Sequence, residues 1–488
     1  MLPCFGGIGS RLRNKITRMT ASNSLSDQQD KNITDAATAA FPAAVGTLGD
    51  LVRIPGIAWD AFDPENLVRS ANAVADLLRG TGVFDFVEIR RAPVAAEYGD
   101  KLGAPAVVAR RAAKNGAPQV LLYAHHDVQP PGDATIWKTP EFQPTIVDGR
   151  MYGRGAADDK AGIVAHLTAI KLLTEELGPD FDLGITCFIE GEEEAGSPSF
   201  RNFLEQNAAD LNSDVIIVAD SGNFTTEIPG ITTTLRGLVS QVIEVQTLDH
   251  AVHSGMFGGV VPDAMTAMIR LLASLHDERG NVAVAGLHSS KAAELPLTDD
   301  MMRADSGILD GVDFIGDGSL LDRNWTKPAI TVIGIDGQSV ALSSNTMLPS
   351  VKAKISMRIA PGEEPERALE LLRKHLEAKA PWGAKLVYHE FEKGKPYLVQ
   401  EGGWAKPLLE EALAKAYGCE SVDLGIGGSI PFIADLVELF PKAQILVTGV
   451  EDPDSRAHSP NESVHLPSLK NAIVAETLLL LGSNSRQN

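Results

Sequence analysis

Cysteine is nearly missing: the chain has three in 488 residues, Cys4, Cys187 and Cys419, with no pair spacing among them. That excludes a disulfide framework and a cysteine-held zinc site. Cys187 lies in an apolar run, where a buried thiol is the expected state. Long apolar runs are missing too; none approaches the roughly 20 residues that a membrane-spanning helix needs. Positive charge is also scarce, with 43 Lys and Arg against 64 Asp and Glu and a formal net charge of −21. Such a surface argues against nucleic acid or an anionic membrane as partner, because neither is drawn to it. No apolar core follows Arg11, Arg13, Lys15 and Arg18, so no signal peptide is read. A disordered leader is expected over residues 1–31, with Met19 as a second candidate start and the cytoplasm as the expected address.

What remains is ordinary globular composition, 44% hydrophobic and 22% charged. A chain of this length exceeds what one core organises, so two domains are expected. Helices are predicted near 33–52 and 64–78, the second opened by Pro64. Strands are predicted at 86–90, 107–111 and 120–124, the last ending directly on His125. After a proline-rich loop that Trp137 is placed to pack down, helical spacing of Ile163, Leu167, Ile170 and Leu173 predicts a helix over 160–177, stopped by Gly178-Pro179. A strand over 183–189 then runs into Glu192-Glu193-Glu194. A helix at 200–207 leads to a strand at 215–219 that ends on Asp220. Strands alternating with helices give an α/β class: a mostly parallel sheet flanked by helices, with polar groups delivered at carboxyl ends.

Beyond Arg236-Gly237 the texture changes. A strand at 238–246 alternates, helices follow near 262–275 and 364–378, and strands near 329–335, 351–359 and 385–389. This reads as an inserted α+β lid or dimerisation domain, one helix layer beside an antiparallel sheet. The α/β texture returns with a helix at 406–417, a loop at 425–431, a strand at 443–447 and a helix at 468–481. The expected boundaries are 32–236 and 394–488 for the catalytic domain and 237–393 for the insertion.

His125, Asp158, Glu194, Asp220 and His458, with Glu193 as base, have the residue types of a hydrolytic two-metal centre. Such a centre surrounds two cations about 3.5–4 Å apart with imidazoles and carboxylates. Singly, each has an ordinary reading: an aspartate at a strand end caps a helix, and an acidic triplet is a solvated run. Together, mostly at strand ends of one domain, they point to a site.

The order Ala124-His125-His126-Asp127-Val128-Gln129-Pro130, Gly153-Arg154-Gly155 with Asp158-Asp159-Lys160, Glu190-Gly191-Glu192-Glu193-Glu194-Ala195-Gly196-Ser197, Ala219-Asp220-Ser221, His253-Ser254-Gly255, Gly427-Gly428-Ser429-Ile430-Pro431 and His458-Ser459-Pro460-Asn461-Glu462 resembles the M20 family of zinc metallopeptidases, nearest its carnosinase-like and Cys-Gly dipeptidase branch. The resemblance covers residues of about 35–480. It implies one metal held by His125, Asp158 and Asp220, and a second by Asp158, Glu194 and His458. Zinc is the implied ion, although this donor set also admits manganese or cobalt. Asp127 would orient the His125 ring, and Glu193 would take the proton of the water between the ions and pass it to the leaving amine. His126 is read as lying behind the ligands or exposed, not as a ligand.

On the insertion, the resemblance implies that His253, in preference to His250, stabilises the oxyanion of a partner subunit's substrate. Arg358, Gly428 and Ser429 would contact the substrate carboxylate, and Asn345 is a further expected substrate contact. The implied protein is a homodimer, joined through the insertion, that cleaves dipeptides or short peptides with a free carboxylate. An N-acyl-amino-acid deacylase and a non-catalytic homologue are the alternatives.

Overall fold

The computed structural model describes residues 27–399, 402–428 and 431–486. The expected leader lies outside the described residues up to residue 26, and helix Asp27–Val52 begins within its last stretch. The expected substrate contact Ser429 also lies outside them. The chain forms two compact units: residues up to Thr232 with Gln400–Leu424 and Asp435–Asn488, and Thr233–Val399 with Gly425–Ala434. The boundary expected at 394 puts Gly425–Ala434 with the first unit, whereas it belongs to the second.

The first unit is organised by a mixed sheet. Its four central strands, in the order Gly184–Glu190, Gln119–His125, Val215–Val218 and Gln444–Val447, pair parallel. Phe86–Arg90 and Ala106–Arg111 extend one side antiparallel. Every residue of Gln119–His125 and Gly184–Glu190 is buried. This is why both read as unbroken apolar runs and not as alternating ones.

Helix Lys160–Leu177 is buried along almost its whole length, not on one face only. It packs against helices Asp27–Val52 and Leu466–Asn484, and Leu466–Asn484 also packs on Ala405–Tyr417. Cys187 sits inside this core with no exposure. A small sheet of Thr145–Val147, Arg150–Tyr152 and Ser463–His465 ties the loop before Lys160 to a segment about three hundred residues later.

In the second unit four antiparallel strands run in the order Ala329–Asp336, Ser350–Ile359, Gly237–Gln246 and Lys385–Gly394. Alternating burial along Gly237–Gln246 and Ser350–Ile359 leaves one apolar face. Helices Ala264–Ala273 and Pro365–Lys379 cover it. The α/β class and the α+β insertion expected from periodicity are both present.

Candidate metal centre

Strand ends deliver the first groups. Gln119–His125 terminates on His125, and its neighbour Gly184–Glu190 leads directly to the acidic triplet, because the two strands pair in register His125 to Glu190. The parallel strand Val215–Val218 ends two residues before Asp220. Asp158 precedes helix Lys160–Leu177, in a turn that Gly155 makes possible. Its φ is 81°, and a Cβ there would stand 2.5 Å from Val128. His458 arrives from a loop before the last helix and is itself left-handed at φ 61°.

These groups converge on Asp158. One carboxylate oxygen, Oδ1, lies 3.0 Å from His125 Nε2, and the other, Oδ2, lies 3.0 Å from His458 Nε2. His458 Nε2 is also 3.1 Å from Glu194 Oε2, and His125 Nε2 is 3.8 Å from Asp220 Oδ1. Two donors each roughly 2.05 Å from a tetrahedral ion stand about 3.4 Å apart, and the four separations bracket that value. Two groups, His125 with Glu193 and Asp220, and Asp158 with Glu194 and His458, each keep their ligand atoms within 4.8 Å of one another.

The electrostatics suit cations. Burial, then the nearby Asp158 charge, pushes Glu194 up to about 7. Burial and Asp220 raise Glu193 well above the carboxylate range. Asp158 goes the other way: burial opposes its ionisation, but hydrogen bonds to His125 and His458 hold it low. His458, facing Asp158 and Glu194, is pushed up to about 11. Clustered buried carboxylates shared by two imidazoles carry surplus negative charge, and a bound divalent ion reverses this pKa logic. The residues present fit such an ion.

Around the ligands, Asp127 does more than face a ring. The His125 Nδ1 is 3.4 Å from its Oδ1 and 3.2 Å from its backbone carbonyl. The Asp127 carboxylate meanwhile accepts the backbone N–H groups of Glu193 at 3.2 Å and Glu194 at 3.1 Å. His126 is wholly buried, with Nε2 2.8 Å from the Pro105 carbonyl, and burial lowers it to about 4. It is therefore neutral and its Nε2–H is the donor. Trp137 packs its loop as expected, donating to the Pro131 carbonyl at 2.8 Å.

Several contributors had no assigned role in the sequence. Gln129 donates its backbone N–H at 3.1 Å and its side-chain amide at 2.7 Å to the two Glu194 oxygens. The buried Asp159 accepts the His125 N–H at 3.2 Å. Glu192 holds Ala104 and Ser199 backbone N–H groups at 2.6 and 2.7 Å, so the triplet is not a solvated run. All three lie inside the quoted motifs, and that position is the only signal that could have marked them.

His253, Asn345, Arg358 and Gly428 belong to the second unit. His253 pairs in register with Thr346, and the Asn345 carbonyl accepts the Ser254 N–H at 2.9 Å, so these two candidates are neighbours. The exposed His253 caps a short helix through the Gly255 N–H at 3.1 Å. Arg358 is half-buried opposite Leu238, and burial lowers its pKa. Near it, the buried Arg236 donates to the Gly427 carbonyl at 2.9 Å and is lowered to about 10 by burial and by Arg358.

A centre that gathers two imidazoles and several carboxylates beside the strand ends of one sheet is that of a metal-binding hydrolase. The profile of peptidase family M20/M25/M40 matches residues 121–481, and the chain belongs to that family. It is similar to the cysteinylglycine-S-conjugate dipeptidase of Corynebacterium striatum, at 35% identity over 370 residues, 75% of this chain and 81% of that protein. It resembles the human Beta-Ala-His dipeptidase at 27% over 420 residues, covering 82% of each. Among solved structures, the dipeptidase Dug1p of Saccharomyces cerevisiae superposes with a TM-score of 0.75 at 20% identity, over 95% of this chain and 100% of that one. Human carnosine dipeptidase 1 gives 0.74 at 23%, over 95% and 100%. No described helix is long and apolar enough to cross a membrane.

Proposed function

We propose that this protein is a di-metal dipeptidase, hydrolysing dipeptides or short peptides with a free C-terminal carboxylate. One observation carries the reading: the two oxygens of a single aspartate, Asp158, each lie 3.0 Å from a different imidazole. A carboxylate so placed is disposed to bridge two ions. His125 and Asp220 would hold one with Asp158, and Glu194 and His458 the other. When bound, such ions polarise a carbonyl and make water acidic enough to attack near neutral pH. Zinc is the ion we assign, with manganese or cobalt as substitutes.

Glu193 accepts the proton of the attacking water and delivers it to the departing amine. Asp127 fixes the peptide segment that carries it. Arg358 and the backbone at Gly428 supply donors for the substrate carboxylate, and Asn345 is a further substrate contact. The similarity to two proteins named as dipeptidases supports the substrate class. We place the protein in the cytoplasm, which suits a chain with so few cysteines.

A homodimer through the second unit is part of the proposal, with His253 serving the other copy's substrate. The edge strand Ala329–Asp336 supports it, presenting Val332, Ile333 and Ile335 at 40%, 57% and 47% exposure. Unpaired apolar edges of this kind invite association.

A panel of dipeptides and N-acyl amino acids, assayed with metal analysis, tests the reading. Dipeptide turnover is expected with two ions per chain; exclusive cleavage of N-acyl amino acids would overturn the dipeptidase assignment. Glu193→Ala should keep both ions and lose turnover by orders of magnitude. Mixing it with His253→Ala should restore part of the activity, and absence of rescue would count against the shared site.

A further inference from the structure

The buried carboxylate of Glu462 has no role in the chemistry above, yet it is the most heavily engaged acid near the centre. Its side chain is completely buried. Oε1 accepts the backbone N–H groups of Ala157 at 2.9 Å and Asp158 at 3.2 Å. Oε2 accepts the Gly155 N–H at 3.0 Å and Arg154 Nη1 at 2.5 Å. The backbone joins in: the Glu462 carbonyl accepts the Gly153 N–H at 3.0 Å, and the Ser459 carbonyl accepts Arg154 Nη2 at 3.3 Å. An ionised carboxylate offers about four lone-pair sites, and here all four are used.

The two segments so joined are the ones that present Asp158 and His458. Between them is the 3.0 Å approach of His458 Nε2 to Asp158 Oδ2. Asn461, next to Glu462, reinforces the turn by accepting the Lys138 N–H at 2.7 Å and donating to the Ile136 carbonyl at 3.1 Å. A buried Arg–Glu pair is by itself weak evidence of stabilisation, since apolar replacements of such pairs are often neutral. Three backbone N–H groups collected from the residues that lead into a metal ligand are a different matter. They set where the ligand's backbone stands.

We infer that Glu462 is a positioning residue: it sets the spacing of Asp158 and His458, and through it the affinity of the pocket they form with Glu194. The inference rests on the di-metal reading. Replacing Glu462 by glutamine keeps the shape but puts an amide N–H₂ where an oxygen received two donors. Whichever way the amide turns, two donors then face a donor.

The test is cobalt(II) titration of the metal-stripped full-length protein, followed by the visible spectrum, for the wild type and Glu462→Gln. The wild type should bind two ions. Because Asp158 serves both, Glu462→Gln should weaken both, and the one that also uses His458 the more, by about 10- to 100-fold, the usual effect of losing a group that orients ligands. The cobalt spectrum of the more weakened site should change, and kcat should fall more than KM. Unchanged affinities and spectrum with only a lower Tm would overturn the inference and leave Glu462 a structural acid. A wild type that binds no cobalt would overturn the di-metal reading itself. Should Glu462→Gln not fold, Glu462→Asp keeps the charge on a shorter arm. Its activity should climb with added cobalt where the wild type is already saturated, and a response no different from the wild type's would count as refutation.

Discussion

Asp127→Asn tests how the base is held. The Asp127 side chain is wholly buried, and its two oxygens receive the backbone N–H groups of Glu193 at 3.2 Å and Glu194 at 3.1 Å. An asparagine amide reproduces one of these and turns an N–H toward the other. Hydrogen bonds to a charged group contribute about 1.5–3 kcal/mol each. At 1.36 kcal/mol per decade, displacement of the base segment should lower kcat/KM about 10- to 150-fold. Metal content should stay near two ions. The His125 ring keeps its 3.2 Å contact with the residue 127 carbonyl, and Glu194 keeps both bonds from Gln129. The assay is steady-state cleavage of a dipeptide that the wild type turns over in the panel above, alongside metal analysis. A kcat/KM within twofold of the wild type would refute the reasoning. So would metal loss in proportion to activity, since it would put the work of Asp127 on the imidazole.

Two further predictions concern the surroundings. A Cβ on Gly449 would stand 1.8 Å from the Ser221 carbonyl oxygen, next to Asp220, and 2.6 Å from the Ser221 backbone carbon and nitrogen. Gly449→Ala should therefore destabilise by at least the ~1–3 kcal/mol of an overpacked core; a wild-type denaturation midpoint would contradict this. His166 lies 2.7 Å from Glu476 in the core; burial opposes its protonation, but the Glu476 charge together with the hydrogen bonds to Glu476 and the Tyr123 carbonyl outweighs burial and raises its pKa. A histidine raised in the folded state binds its proton more tightly there than in the unfolded chain. Its contribution is thus full below the ordinary value of about 6.5 and is lost as pH climbs through the folded one. The Tm gap between wild type and His166→Gln should shrink from pH 6 to pH 9, and a constant gap would rule this out.

Much of the first unit was legible in residue order. Strand Phe86–Arg90 and helix Lys160–Leu177 form at their expected bounds, because a short stretch rich in aromatic and β-branched residues and a 3.6-residue spacing are local signals. The clustering of His125, Asp158, Glu194 and His458 was anticipated from motifs at strand ends. What escaped was non-local. The pairing of Arg150–Tyr152 with Ser463–His465 leaves no periodic trace in two three-residue strands. Helix Pro431–Leu439 has no counterpart in the sequence reading, whose loop over 425–431 ends on the helix's first residue with nothing assigned before the strand at 443, although a proline suits a first turn. Glu192, whose triplet has the ordinary reading of a solvated run, and Asp159, which has no separate role in the sequence, are both held by backbone amides, which sequence does not display.

The helix Leu466–Asn484 fills the space between Lys160–Leu177, Ala405–Tyr417 and Asp27–Val52. Three helices far apart along the chain thus share one packing partner, and its Leu469 and Leu478 are fully buried. Truncating either would loosen all three at once, and with them the turn that carries Asp158 into helix Lys160–Leu177.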